Sequence, residues 1–155
     1  MADKLTQLLT QNIIQNKERI NWDQYFMSMA ILSSVRSSCH RLNVGCVLVN
    51  NKHVISMGYN GFLPGAEHVS IVINNHEQGT VHAEQNAISD AASRGVSVKD
   101  SIAYITHYPC INCFKILVAS GIKEIKYLED YKNDNTINKI LDTGVNIKIS
   151  KITIT

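Results

Sequence analysis

Asn51 and Lys52 separate two β-rich runs, VGCVLVN before them and HVISMGYN after them. A two-residue link between strands closes as a hairpin, so this part of the chain is committed to an antiparallel pair. Beyond the hairpin, helices and strands alternate. A helix is expected from about His82 to Ser93, stopped by Gly95, then the strand SIAYIT. A second helix runs from Cys110 to Ser120 with Gly121 as its stop, then the strand EIKYL. A third spans Asn133 to about Asp142, with Ile137, Ile140 and Leu141 on one face and Gly144 ending it, then the strand VNIKI. Strands joined through a helix lie parallel, with right-handed crossovers. Hairpin and alternation together predict an α/β domain of three layers, α/β/α, around a five-stranded mixed sheet with helices on both faces. Ala66 to Gly79 reads as irregular.

Upstream of the hairpin, Asn21 and Gln24 have the spacing of a capping box. Trp22, Tyr25, Phe26, Met29 and Leu32 then recur at helical intervals, which predicts a helix to about Ser38 that buries this aromatic stripe. Leu5, Leu8, Leu9 and Ile13 have helical spacing too, so residues 1–20 read as a helical extension and 21–155 as a single domain. A chain of 155 residues suits one domain, and 45% apolar with 18% charged residues is a globular balance. A net charge of +2 is too mild for a surface that coats nucleic acid. No apolar run approaches the roughly twenty residues of a membrane helix, and the polar N-terminal stretch lacks the apolar centre of a signal peptide. A soluble, cytoplasmic protein without membrane or nucleic-acid partners is expected.

Two helix-opening segments carry the chemistry: TVHAEQNAI (80–88) and HYPCINC (107–113). A C-x-x-C pair in such a chain binds metal or is redox-active more often than it bridges. A redox role leaves His82 and Glu84 unexplained, and a closed structural zinc site wants a fourth Cys or His. His82, Cys110 and Cys113 instead supply one imidazole and two thiolates, a three-ligand set that leaves zinc an open position for water. Helix N-termini favour thiolates, and Pro109 suits a helix start. Glu84, two residues past His82, is placed to carry the proton of a metal-activated water without itself ligating. Cys46 reads as a small core residue of its strand. His40, His53 and His107 read as surface or packing residues.

H-x-E followed by P-C-x-x-C is the signature of the zinc nucleobase deaminases. With DQYFMSMA, RSSCHRLNVG and GYNG upstream, the chain resembles the deoxycytidylate deaminases of the cytidine deaminase superfamily over nearly everything from Trp22 onward. The resemblance implies a cytidine deaminase-like fold and zinc-dependent hydrolysis of dCMP to dUMP and ammonia, supplying dUMP for dTMP synthesis. Glu84 is then the catalytic proton carrier and the Ala83 backbone N–H holds the pyrimidine. Ser37, Arg41, Tyr131 and Lys132 grip the phosphate, and Asn60 contacts sugar or base. Lys132 stands where family members often have arginine, and Pro64 lies one position later than the family pattern after GYNG. Many members are homohexamers activated by dCTP and inhibited by dTTP, with Mg2+ on the triphosphate; Asn60 and Gly61 are near the region where that effector binds. Some carry a second, structural zinc, for which Cys39, His68 and His76 supply three of the four ligands required. Alternatives are a same-fold deaminase of tRNA adenosine or a free base, which calls for a broad basic surface, and a zinc-stabilised binding module, which has no use for Glu84.

Overall fold

The hairpin forms around two left-handed residues. In the computed structural model, which describes residues 2–14 and 18–153, β1 (Gly45–Asn50) and β2 (His53–Tyr59) pair antiparallel across Asn51 (φ 47°) and Lys52 (φ 62°). Two consecutive residues at positive φ give a type I′ turn, whose twist matches that of the strands. Before it come α1 (Ala2–Leu9), a π turn over Thr10–Ile14, and α2 (Trp22–Ser34). After it come the short strands β3 (Gly61–Phe62), β4 (Val72–Ile73), β5 (His76–Glu77) and β6 (Thr80–Val81). The expected alternation comes next: α3 (Ala83–Ser93), β7 (Ile102–His107), α4 (Ile111–Ala119), β8 (Glu124–Glu129), α5 (Asn135–Leu141) and β9 (Lys148–Lys151). The main sheet has the order β2-β1-β7-β8-β9, antiparallel as far as β7 and parallel beyond it.

Period-two alternation sorts the two central strands into two cores. Cys46 and Leu48 of β1, with Ala103 and Ile105 of β7, meet Ala83 and Ala87 of α3, Phe114 and Leu117 of α4 and Ile137 of α5. Val47, Val49 and Tyr104 point the other way, onto Phe26, Met27 and Ala30 of α2. Helices therefore cover both faces, as expected, and Cys46 is a core residue with no exposed surface.

Four expectations are corrected. The face that α2 buries is Phe26, Met27, Ala30 and Ser33, while Trp22, Tyr25 and Leu32 remain exposed. Helical spacing fits either face; the small Ala30 and Gly45 let the helix approach the sheet closely on this one. A Cβ at Gly45 would lie 1.9 Å from the Ala30 carbonyl oxygen. The same helix stops at Ser34 rather than Ser38, with the Arg36 and Ser37 N–H groups bonded to Ser33 and Ser34 as turns; its capping box, Asn21 with Gln24, forms as read. The last strand starts at Lys148 because Val145 to Ile147 are used in turning back towards β8, with Ile147 N–H bonded to the Val145 carbonyl. The stretch from Ala66 to Gly79 is partly ordered: β4 and β5 pair around Asn74 (φ 50°) and Asn75 (φ 62°), again a type I′ geometry. On α1 the stripe of Leu5, Leu8 and Leu9, continued by Ile13, is exposed.

Beneath α2 a polar cluster ties helix to sheet. Asp23 accepts from Tyr104 Oη (2.7 Å) and from Lys126 Nζ (2.8 and 2.7 Å). Burial pushes the Asp23 carboxyl upward, but the bonds from Lys126 and Tyr104 and the Lys126 charge outweigh it and leave the pKa below its usual value. A carboxyl lowered on folding contributes stability above its unfolded pKa of about 3.9, and loses that contribution as pH falls through the folded value. Asp23→Asn is accordingly expected to cost about 1 kcal/mol at pH 7, the value of a charged hydrogen bond discounted for a carboxylate 40% exposed. Urea titrations should show that gap closing at pH 3; a gap independent of pH would assign the loss to packing.

Candidate active site

Two helix starts bring the predicted residues together. β6 ends at Val81 and His82 caps α3, its backbone N–H bonded to Gln85 Oε1 (3.0 Å). β7 ends at His107, and Cys110 caps α4 with its Sγ accepting from the Cys113 N–H (3.4 Å). Pro109 is buried one residue before that cap. Both helices lie on the same face of the sheet, so both N-termini open at one edge and their dipoles favour negative charge between them.

His82 Nδ1 lies 3.3 Å from Cys113 Sγ and 3.6 Å from Cys110 Sγ. Among the described residues this is the one group of three His, Cys, Asp or Glu donors that converges within 4.8 Å. Zinc bonds of about 2.0 Å to nitrogen and 2.3 Å to sulfur, at tetrahedral angles, put such donors about 3.5 Å apart. The two imidazole–thiol separations fit that ion. The thiols are unequal: hydrogen bonding from the Cys113 thiol, and then from His82, draws Cys110 down to about 4, while that same bond, burial and Glu84 hold Cys113 up. Its bond with Cys110 pulls the His82 pKa up.

Glu84 is 4% exposed in the first turn of α3, and burial raises its carboxyl pKa. It stays outside the converging triad yet lines the same cavity of ≈ 660 Å³. A buried carboxyl of raised pKa beside a metal-ligand set is suited to moving protons.

Around this floor the remaining candidates divide. Asn60, Ala83, Arg41, Tyr131 and Lys132 line the cavity; Ser37 and Gly61 do not. Ser37 instead donates to Asn60 Oδ1 (2.7 Å), and Asn60 also accepts from the Val44 N–H (2.8 Å) and donates to the Leu42 carbonyl (2.6 Å). Asn60 thus staples the segment after α2 to the end of β2 and keeps one amide hydrogen in reserve. Gly61 pairs with Val81 in the β3–β6 ladder. Arg41 donates to the carbonyl and Oδ1 of Asn75 (3.1 and 3.3 Å) at the tip of the β4–β5 hairpin. Lys132 (φ 43°) carries its Nζ 5.5 Å from the centre of the Tyr131 ring.

Several lining residues escaped the sequence reading. Asn75, Glu77 and Gln78 reach the cavity from the hairpin, whose two-residue strands leave no periodicity to detect, beside His76, which was named above for a second zinc. His107, read as a packing residue, lines the cavity as well, and its place three residues before Cys110 was the available signal. Burial lowers the His107 pKa against the opposing pull of Glu129. Cys39, His68 and His76 do not gather as a second metal site: Cys39 and His76 line the cavity, whereas His68 stacks on Phe62 at 4.9 Å.

Residues 20–129 match a model of the cytidine and deoxycytidylate deaminase zinc-binding region. The chain is 40% identical over 136 residues to ComE operon protein 2 of Bacillus subtilis, covering 84% of this chain and 72% of that protein. It is 36% identical over 146 residues to the deoxycytidylate deaminase of Schizosaccharomyces pombe, covering 86% of this chain and 45% of that one. Among solved structures it resembles the dCMP deaminase of cyanophage S-TIM5 in complex with dCMP and dUMP, with a TM-score of 0.75, 27% identity, and coverage of 87% of this chain and 99% of that one. No helix among the described residues is long and apolar enough to cross a membrane.

Proposed function

Since the chain belongs to the cytidine and deoxycytidylate deaminase family, we propose that it hydrolyses dCMP to dUMP and ammonia, so supplying dUMP for dTMP synthesis. The observation that carries this reading is the buried Glu84 carboxyl beside the convergent His82, Cys110 and Cys113, where Glu84, His82 and Cys110 line a cavity with cationic side chains on its wall.

His82, Cys110 and Cys113 would hold the zinc, which when bound supplies the Lewis acidity that makes a water nucleophilic near neutral pH. Glu84 takes the proton from that water as its oxygen adds to C4 of the pyrimidine, and delivers it to N3. It then moves a proton to the exocyclic amine, which leaves as ammonia while the C4–oxygen bond becomes the carbonyl of the product. Ala83 is the first residue of α3, and its N–H is one of the donors that a helix start leaves without an intrahelical partner, suited to the pyrimidine O2. Arg41 and Lys132 neutralise the phosphate and Tyr131 adds a hydroxyl donor. Arg41 keeps unused N–H groups beyond its two bonds to Asn75, so it can hold the hairpin tip and a phosphate oxygen together. Ser37 acts through Asn60, which it holds, and Asn60 offers its remaining amide hydrogen to sugar or base.

Regulation is part of the same proposal: activation by dCTP and inhibition by dTTP, each with Mg2+, in a homohexamer with Asn60 and Gly61 near the effector. The support is the family resemblance and the exposed apolar side chains Leu63, Val69, Ile71, Val72 and Ile73 around the hairpin, a surface suited to a subunit contact.

Ultraviolet assay of dCMP, CMP, deoxycytidine and adenosine, with and without dCTP or dTTP and Mg2+, tests the reading on protein whose zinc content is measured. The expected result is turnover of dCMP with kcat/KM at least about 100-fold above that for deoxycytidine, the value of one or two charged phosphate contacts. Zinc-loaded protein that leaves dCMP intact would overturn it.

A further inference from the structure

We infer that His107 determines substrate specificity at this site: Thr106 holds it as the Nε2–H tautomer, and it presents a neutral donor to a sugar or phosphate oxygen of the nucleotide. The inference rests on the mononucleotide reading of the site and assigns a residue which that reading leaves idle.

Thr106, the penultimate residue of β7, is 4% exposed. Its Oγ1 accepts from the Gly45 N–H of the neighbouring strand (3.1 Å) and lies 2.9 Å from His107 Nδ1. A hydroxyl has one proton to give. With Gly45 donating to the oxygen, the acceptor that this proton reaches among the described residues is His107 Nδ1. The opposite tautomer would set an Nδ1–H against Oγ1 and leave a buried hydroxyl proton unpaired, which is the costlier arrangement. Nδ1 therefore accepts and the ring hydrogen sits on Nε2.

The direction of that hydrogen is set by the packing. Nδ1 is turned towards buried Thr106, so the half-exposed part of the ring is its far edge, and His107 lines the cavity that also holds Ala83, Glu84 and Cys110. Tyr131 stands at 83° to the imidazole with the ring centres 6.1 Å apart, which limits rotation of the ring from the solvent side. The whole arrangement is anchored by the Gly45 bond, a link between β1 and β7 rather than a feature of the loop. Burial favours the uncharged imidazole on which the arrangement depends.

The pair His107→Leu and His107→Gln tests this, since leucine fills the space without a donor and glutamine keeps an N–H near the position of Nε2. With dCMP, His107→Leu is expected to raise KM with kcat within threefold, by about 10- to 100-fold for a bond lost to an anionic phosphate oxygen and about 3- to 10-fold for one lost to a sugar oxygen. His107→Gln should return KM to within about threefold of wild type. Deoxycytidine separates the two acceptors: a defect confined to dCMP places the donor on phosphate, and a defect shared by both substrates places it on the sugar. Zinc content and melting temperature accompany each variant. Nitrogen-15 NMR of zinc-loaded wild-type protein, with the His107 resonances assigned by difference, reads the tautomer directly and does not depend on any variant folding. A leucine variant within twofold of wild-type KM, or an Nδ1–H tautomer at His107, overturns the inference. Failure of the mononucleotide reading looks different: wild-type protein then has no turnover of dCMP at all.

Discussion

Glu84→Gln is expected to keep its zinc and lose about 1,000-fold in kcat, the middle of the range for removing a general acid–base group. Glutamine matches glutamate in size, so the fully packed start of α3 is undisturbed and His82, Cys110 and Cys113 keep their separations of 3.3 and 3.6 Å. What disappears is the capacity to take a proton from water and return it to the pyrimidine. Glu84 lies outside the ligand triad, so metal content and activity should separate in this variant. Metal analysis at one zinc per chain beside a rate near background is the expected combination. Turnover within tenfold of wild type would remove Glu84 from the proton path, and loss of zinc would make it a ligand or a support for one.

The second large effect lies away from the chemistry. Gly58→Ala should destabilise the fold by about 3 kcal/mol, at the upper end for overpacking, and lower zinc occupancy with it. A Cβ at Gly58 would meet the Ala83 carbonyl oxygen at 2.2 Å and the Ala87 nitrogen at 2.5 Å. Both are backbone atoms of α3, which cannot turn aside as a flexible side chain can. The helix has to move away from β2 as a body, and His82 and Glu84 move with it relative to the two cysteines of α4. A Cβ at Gly61 would instead meet the Ser38 hydroxyl at 3.1 Å, so Gly61→Ala should cost much less. Urea midpoints and zinc stoichiometry of the two variants, measured side by side, check the contrast. A Gly58→Ala protein with wild-type stability and full zinc would mean that α3 has more freedom than its packing implies.

Particular residues show where local pattern sufficed. The turn at Asn51 and Lys52, the cap at Asn21 and the stops at Gly95, Gly121 and Gly144 each depend on one or two residues with special backbone preferences, and each forms as read. The same holds for His82 and Cys110, whose positions at helix starts are fixed by motif spacing. The buried face of α2 is not given by helical interval alone, because the backbone of Ala30 and Ser34 comes up against Gly45 and turns Trp22, Tyr25 and Leu32 outward. Pairing of β4 with β5 could not be read, since two residues per strand are too few to show a period.

The sequence by itself determined the β1–β2 hairpin, the alternation from α3 to β9, the mixed sheet and the donor set, because hydrophobic period, turn chemistry and metal-ligand spacing are written over a few neighbouring residues. The tertiary structure alone decided which side chains surround the donor set. Arg41 meets Asn75 across 34 positions, Asn60 holds the segment from Ser37 to Val44, and Gly45 reaches Thr106 across 61. The physical reason is that each of these contacts joins polar groups with no local preference for one another. The Gly45–Thr106 bond needs β1 beside β7, and at buried Asn60 and Thr106 burial requires donors and acceptors to find one another.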